Sequence, residues 1–265
     1  MNPLTIDQSV MRTSLFPGLL DTVSNNIIRD ERDLKLFEWG KVFIDEEREE
    51  QPSEKTFLAA IMIGPYHKKT WYEDERPVDF YDAKGALEVL FRELHLERVL
   101  FKKGILFPGY DPHVSAKIYH SGLCLGQVGR VSSSVMKAYD LEKENAFMFE
   151  IDIGALLESV SGESRFRPFV QFPAVYRDIS LLVDRHIQSA SIVEIIEEEG
   201  ADLVESVHIF DLYEGDKISP SEKALAFRVC YRSEHGTLDG SMVNKLHDSI
   251  VNKIRQETGG KLREG

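Results

Sequence analysis

The sequence contains very little cysteine: Cys124 and Cys230 are the only two among 265 residues. Two cysteines form neither a disulfide framework nor a zinc site, so both are expected to be buried thiols in a reducing compartment. The eight histidines show no metal-ligand spacing on one face, and isolated glycines make no phosphate-binding loop. The sequence therefore predicts no metal site and no glycine-rich nucleotide site.

Long hydrophobic runs and an excess of positive charge are also missing. No apolar run approaches the roughly 18 residues of a membrane span, and no secretory leader follows Met1, so a cytoplasmic protein without membrane contact is expected. The net charge is −13. Because phosphate neutralisation supplies most of the affinity of a generic nucleic-acid binder, we expect no DNA partner and no nonspecific RNA binding. A local contact that reads bases stays open.

The chain does have enough apolar material for a core, since 42% of its residues are hydrophobic and 29% are charged. Residues 156–178 change midway from a helix-like start to Ser, Gly and Arg, and then to Pro168 and Pro173. This change predicts a boundary near 160–171, with one domain at 1–160 and a second at 171–265. The second domain has 11 basic and 17 acidic side chains and a net charge of −6, so it is not a basic arm.

The C-terminal part predicts the element order βαββαβ. Strand-like alternation occurs at 178–184, 203–213 and 224–232, helical periodicity at 191–200 and 239–259, and a short last strand follows Gly259 and Gly260. Ser191 and Glu194 have capping-box spacing, and Gly200 suits a helix end. The order is typical of a ferredoxin-like domain, with two helices on one face of a four-stranded antiparallel sheet. Its open face is the kind of surface that can serve as an RNA platform.

The N-terminal part predicts an α+β domain in which helices flank an antiparallel sheet. Its pattern includes a hairpin that turns near Ser121 and Gly122. The first helix has Pro17 in its first turn and apolar residues on more than one face: Leu15, Leu19, Leu20, Val23, Ile27 and Ile28. A helix packed on one side needs a narrower stripe, so this helix is expected to be an interface with another chain or copy.

Several stretches resemble the bacterial phenylalanyl-tRNA synthetase beta subunit. Its catalytic-like module is similar to NPLTIDQSVMRTSLFPGLLDTVSNN, LKLFEWGKVF, VDFYDAKGALEVLF and AFMFEIDIGALL. Its ferredoxin-fold anticodon-binding domain is similar to FPAVYRDISLLVD, ESVHIFDLYEG, KALAFRVCYRS and NKLHDSIV. The blocks run through the whole chain in order, so the resemblance is specific.

The resemblance implies a class II synthetase-like antiparallel sheet without a working site, followed by the anticodon-binding domain. The family enzyme charges its tRNA with phenylalanine, using ATP and magnesium, as a heterotetramer of two alpha and two beta subunits. The alpha subunit holds the working site, so no catalytic residue and no cofactor are expected in this chain. The tRNA-binding and editing domains that begin the full beta subunit are absent from these residues, which implies a domain-sized fragment.

The resemblance also implies the RNA-binding residues. The strand end FDLY would meet the anticodon, with Tyr213 stacking on a base and Asp211 accepting from a guanine edge. The family places a serine where Ala224 stands, so one family hydrogen bond is missing here. Arg228 has the open-face parity of its strand, as does Arg232, and either cation would meet phosphate or solvent.

The parity of the second strand contains a conflict. Asp211 and Tyr213 share it with Val207 and Ile209, which have the character of core residues. A bulge or twist near Phe210 would be needed to turn the polar pair to the other face, and the sequence does not show one. Without the resemblance, Asp211 would be interpreted as an ordinary turn residue. Arg177 and Asp178 fit either a surface pair or a local structural bridge.

Two other classes of function stay open from the residues alone. An autonomous class II-like ligase would need one arginine on a strand and a second on a following helix, and neither is evident. The segment 91–93 has the letters of a class II signature but lies inside a predicted helix. A ligand-sensing or RNA-binding ferredoxin-like regulatory protein would need a glycine in the strand–helix turn at 183–191, which has none.

Overall fold

A computed structural model describes residues 10–45, 51–160 and 172–263. The chain divides into two compact units, Met1–Arg165 and Phe166–Gly265. The first unit contains β1 (Leu34–Ile44), β2 (Ser53–Ile63), β3 (Leu100–Lys103), β4 (Tyr110–His120), β5 (Leu123–Val131) and β6 (Ala146–Asp152), with helices α1 (Phe16–Ile27), α2 (Phe80–Glu93), α3 (Ser133–Ala138) and α4 (Ile153–Ser159). The second unit contains β7 (Val175–Asp184), β8 (Val204–Tyr213), β9 (Glu222–Tyr231) and β10 (Lys261–Leu262), with helices α5 (Ser189–Gly200) and α6 (Gly240–Thr258).

The first unit is a six-stranded antiparallel sheet in the order β1-β2-β6-β5-β4-β3. Alternate residues of β2 enter two separate cores, with Ile61 in the core that contains α1 and Ala60 in the core that contains α2 and α4. The sheet is therefore covered by helices on both faces. The predicted hairpin is confirmed, since β4 and β5 turn at Ser121 and Gly122, both with positive φ.

The interface prediction for α1 is wrong for most of its apolar residues. Leu15, Leu19, Leu20 and Val23 are buried inside the unit, and only Ile28 is strongly exposed, at 79%. The apolar stripe of α1 is broad because the helix packs against side chains of a neighbouring segment as well as against the sheet. At its start, Phe16 makes edge-to-face contacts with Phe107 and Tyr110, with centroids 5.5 and 5.2 Å apart.

The start of α1 is fastened to the sheet by a buried carboxylate. Glu150, in the central strand β6, accepts hydrogen bonds from the Leu15 amide at 2.7 Å and the Ser14 hydroxyl at 3.0 Å. Burial raises the pKa of Glu150, and these two donors partly offset the rise. The middle of this sheet face is thus occupied by the protein's own chain.

The second unit has the predicted order βαββαβ, and its four strands lie in the order β10-β7-β9-β8. Both helices lie on one face, where Ile179, Phe227, Ile196 and Ile250 are buried in a common core. Gly259 ends α6 with φ 67°, as its place in the sequence predicts. The other face of this sheet carries no helix among the described residues.

Of two local predictions for α5, the one for Gly200 is confirmed and the one for Ser191 is wrong. Ser191 is not a helix cap, because α5 already begins at Ser189, after Gln188, and the Ser191 hydroxyl donates to the Gln188 carbonyl at 2.7 Å. Gly200 does end α5, but the positive φ of 44° belongs to Ala201. Glycine is needed at 200 for space, since a Cβ there would lie 2.1 Å from Val204 Cγ2.

The cysteines are both free, as expected, but they differ in burial. Cys230 is buried, and its thiol donates to Glu205 Oε2 at 3.0 Å. Cys124 is only partly buried, because it lies next to the exposed turn between β4 and β5. The prediction of two buried thiols therefore holds for Cys230 alone.

Candidate RNA-binding face of the second unit

The register of β9 divides its side chains between the two faces of the sheet. Leu225, Phe227, Val229 and Tyr231 are buried in the core under the helices. The alternate residues, Ala224, Ala226, Arg228 and Cys230, belong to the face without helices, which we call the open face. Residues of β7 and β8, the strands on either side of β9, can be assigned to a face from their pairing with these residues.

The pairing of β8 with β9 has two irregularities, one between Val204 and Ser206 and one between Ile209 and Asp211, and the second changes the face on which the polar pair lies. Ile209 pairs with Phe227, but Asp211 pairs with Ala226, the next residue of β9. Phe210 is therefore the extra residue of a β-bulge, the irregularity that the sequence required for an open-face pair but did not itself show. After the bulge, Asp211 and Tyr213 lie opposite Ala226 and Ala224 and so share the open face.

The residues on the helix side of β8 are less buried than expected. Val207 packs partly against the core, but Ile209 is 45% exposed, so its assignment to the core is wrong. Leu212, which the bulge turns to the same side, is also exposed. The reason is that β8 is an edge strand of the sheet, and the helices do not cover its outer part.

Tyr213 lies on a part of the open face where the neighbouring side chains are short. The side chain directly across from it is Ala224, which is only 4% exposed, and Ala226 next along β9 is also buried. Gly215 makes room for the ring, because a Cβ there would lie 2.6 Å from the Tyr213 hydroxyl. Tyr213 is itself half-buried, so its ring is part of the sheet surface.

Asp211 is exposed, and within the described residues its carboxylate has no hydrogen-bond or salt-bridge partner. Both oxygens are therefore free to accept. A carboxylate next to an aromatic ring on an open sheet face has the two elements that reading a single-stranded base needs, an acceptor for the base edge and a surface for its plane.

Arg228 is not a free cation. Its Nε and one terminal nitrogen donate to the two carboxylate oxygens of Asp178 on β7, at 2.8 and 2.7 Å. The hydrogen bonds from Arg228 lower the pKa of Asp178. The same guanidinium lies 5.2 Å from the centroid of the Phe210 ring. The pair is exposed and adds little to stability, but it fixes the orientation of the guanidinium.

The two remaining arginines of the sequence prediction lie elsewhere. Arg177 does not pair with Asp178. It contacts Asn244 of α6 on the helix side, with Nε and a terminal nitrogen 3.2 and 3.0 Å from Oδ1. Arg232 follows the end of β9 and lies 3.2 Å from a Glu205 oxygen. Neither side chain joins Asp211 and Tyr213.

Three open-face residues were missed from the sequence: Tyr176, Phe210 and Arg263. Tyr176 is exposed and pairs with Cys230, and its parity with Asp178 was a signal for it. Phe210 was considered only as the place of a bulge, although its ring is exposed. Arg263 follows the last strand, and its guanidinium lies 5.7 Å from the Tyr213 centroid. No sequence signal indicated that contact.

Other kinds of site find little support in the described residues. No group of three or more His, Cys, Asp or Glu side chains is placed to hold a metal ion in those residues. The segment 91–93 lies inside α2, with Phe91 buried in the core. In the same ranges, no helix is both long and apolar enough to cross a membrane.

Comparison with known proteins gives two family matches in tandem. Residues 1–153 match the phenylalanyl tRNA synthetase beta chain CLM domain, and residues 170–263 match the ferredoxin-fold anticodon binding domain.

Among individual proteins, the chain is similar to phenylalanine–tRNA ligase beta subunits. The Carboxydothermus hydrogenoformans protein is 35% identical over 99% of this chain and 33% of its own length. The Thermotoga maritima protein is 37% identical over 99% of the chain and 32% of its own length. The chain spans about a third of the length of the curated relatives it matches.

The Asp178–Arg228 pair generates a prediction about RNA affinity. Replacing Asp178 with Asn should free the Arg228 guanidinium for phosphate. Binding of an RNA hairpin should then tighten, and its dependence on log salt should steepen by about 0.7 for one added phosphate contact. Fluorescence anisotropy at several salt concentrations measures both quantities.

Asp202→Asn is the matched control, because it removes the same charge from an exposed residue of the 3₁₀ turn after α5. If both variants tighten RNA binding equally, the gain comes from net charge, and the proposed release of Arg228 is wrong.

Proposed function

Because the chain belongs to the phenylalanyl-tRNA synthetase beta chain family, we propose that it is the part of a phenylalanine–tRNA ligase beta subunit that binds the alpha subunit and recognises the anticodon. Residues 1–160 form the non-catalytic module with the class II synthetase-like fold, and residues 171–265 form the anticodon-binding domain. The observation that carries the RNA-binding part is the bulge at Phe210, which supports a role for Asp211 and Tyr213 together on the open face.

In this proposal Tyr213 stacks on an anticodon base, and the Asp211 carboxylate accepts hydrogen bonds from the edge of a guanine. Guanine presents two donors, N1–H and N2–H, that a carboxylate with two free oxygens receives together. Ala224 forms the floor beneath the ring and offers no hydrogen bond. Arg228 supports the site through Phe210 and becomes a phosphate ligand only if it leaves Asp178.

The charging reaction itself is assigned to the assembled enzyme with ATP and magnesium. The described residues of this chain do not fit those groups, because they contain no cluster of metal ligands and the centre of one sheet face is filled by the start of α1. We propose that the alpha subunit supplies every catalytic step, in an assembly of two alpha and two beta subunits.

The docking surface for the alpha subunit is proposed at the outer edge of β1 instead of at α1. The outward direction of its backbone is known, since the Phe43 amide donates away from β2 to the Arg12 carbonyl at 2.9 Å. Backbone groups alternate sides along a strand, so those of Phe37 and Trp39 point outward too, and no described residue bonds them. Their side chains are 76% and 61% exposed.

An edge strand with free backbone groups and two bare aromatic side chains is a surface that proteins normally cover. The sheet of the first unit has its other helices over β2, β4, β5 and β6, which leaves these two rings unprotected. An alpha subunit that covers this edge would bury both rings and pair the strand.

The anticodon proposal predicts separate effects for the two side chains. Tyr213→Ala should weaken binding of the phenylalanine tRNA anticodon stem-loop by about 1–3 kcal/mol, because a stacking surface is lost. Asp211→Asn should weaken mainly the preference for guanine over inosine in that loop, because the amide has one acceptor where the carboxylate has two. Anisotropy titrations with the two loops measure affinity and preference.

Tyr72→Ala and Asp202→Asn are controls with equal side-chain changes at exposed positions, one in a loop of the first unit and one in the 3₁₀ turn after α5. The anticodon proposal fails if Tyr213→Ala and Asp211→Asn bind both loops as the unmodified chain does while circular dichroism shows an intact fold.

The interface proposal predicts that Phe37→Asp with Trp39→Asp weakens the complex with the alpha subunit. Buried aromatic side chains at interface centres contribute about 2 kcal/mol or more each when truncated, so binding should fall by well over tenfold. Titration calorimetry with purified alpha subunit gives the dissociation constant. Trp71→Asp is the control, because Trp71 is 95% exposed but lies in a loop. Equal affinities for the double variant and the control would exclude the β1 edge as the interface.

A further inference from the structure

Arg263 extends over the open face from the opposite edge of the sheet. It directly follows β10, and its amide donates to the Ser180 carbonyl of β7 at 2.9 Å. Tyr213 is on β8, and β7 and β9 lie between the two. Even so, the Arg263 guanidinium carbon lies 5.7 Å from the centroid of the Tyr213 ring. Both side chains therefore lie across the sheet and meet above its middle strands.

Small side chains between them allow this contact. Ser180 pairs with Ala226 across the β7–β9 ladder, and Leu182 pairs with Ala224. A long side chain at 224 or 226 would stand in the path, since side chains project roughly perpendicular to the sheet. Ala224 and Ala226 are nearly inaccessible to solvent although no helix covers this face. The alanines thus form a shallow trough with Tyr213 and Arg263 above it.

Arg263 differs from Arg228 in its charge partners. Arg228 is held by both oxygens of Asp178, whereas within the described ranges no carboxylate lies at salt-bridge distance from Arg263. Its guanidinium lies instead over the face of the Tyr213 ring. An exposed cation on an aromatic ring is held weakly, and a stacked base is held more strongly. A base can therefore displace Arg263 from Tyr213.

We propose that Arg263 is a further RNA-binding residue, which covers the ring of Tyr213 in the free protein and turns to an RNA phosphate when a base takes its place. The inference rests on the proposed function, because it requires that Tyr213 stacks on a base. A displaced guanidinium stays within one side-chain length of the stacked nucleotide and carries the donors that a phosphate accepts from. In a domain with a net charge of −6, such a local cation matters more than long-range attraction.

The experiment compares Arg263→Gln with Arg263→Lys in titrations of the phenylalanine tRNA anticodon stem-loop at several salt concentrations. Arg263→Gln keeps much of the length but loses the charge. It should weaken binding by about tenfold and reduce the slope against log salt by about 0.7. Arg263→Lys keeps the charge and should keep the slope. Arg255→Gln, an equal charge change in the last turn of α6, should change neither quantity as much.

Tyr213→Ala in the same titrations separates this inference from the anticodon proposal. If Tyr213→Ala has no effect, the anticodon proposal fails and this inference fails with it. If Tyr213→Ala weakens binding while Arg263→Gln leaves the affinity unchanged or tighter, only the role of Arg263 is wrong. Weaker binding of Arg263→Gln with an unchanged salt slope would show a structural role and would also overturn it.

A spectroscopic measurement tests the exchange itself. In the free protein, the side-chain protons of Arg263 should show an upfield ring-current shift that Tyr213→Ala abolishes. Saturating stem-loop RNA should remove the shift in the unmodified protein. A shift that persists with RNA bound would contradict displacement by a base.

Discussion

The bulge at Phe210 decides on which face of the second unit's sheet Asp211 and Tyr213 lie. Up to Ile209, β8 pairs so that its apolar residues point toward the helices, and the bulge at Phe210 moves the pairing by one position. Since side chains alternate with a period of two, this one residue turns Asp211 and Tyr213 to the open face. If Phe210 instead paired with Ala226 in a regular ladder, Asp211 and Tyr213 would both point toward the helices.

The two faces of this sheet differ in the side chains they carry. The helix face is a continuous core of aliphatic residues with Phe227 at its centre, and it supplies the stability. The open face holds small alanines, an arginine–aspartate pair and exposed aromatic rings. Because the Arg228–Asp178 pair and the rings of Tyr176 and Phe210 are exposed, these side chains are free to change partners without unfolding the domain. The acidic net charge of the chain is compatible with RNA recognition only if short-range contacts of this kind carry it.

The order of elements was predictable from the sequence because each segment of the second unit has one clear period. The bulge itself was not evident from the sequence. The conflict between Val207 and Ile209 before it and Asp211 and Tyr213 after it showed only that a bulge would be needed to bring the polar pair to the open face. Contacts between distant segments were not predictable. The pairing of Arg228 with Asp178 depends on the register of β7 against β9, and the contact of Arg263 with Tyr213 depends on small side chains in two strands between them. The α1 interface was wrong because Phe107 and Tyr110 pack against its start, and hydrophobic periodicity does not show which segment covers a helix.

The most direct test is deletion of Phe210, combined with Tyr213→Ala in a double-mutant cycle. If Phe210 is the extra residue of the bulge, its deletion leaves a regular ladder in which Asp211 and Tyr213 still lie opposite Ala226 and Ala224. Tyr213→Ala should therefore cost about 1–3 kcal/mol in binding of the anticodon stem-loop in the deletion variant, the same as in the unmodified chain. Deletion of Asp216, in the loop after β8, controls for shortening the chain, and circular dichroism checks the fold. A folded Phe210-deletion variant in which Tyr213→Ala costs nothing would contradict the account, because Tyr213 would then no longer lie on the open face.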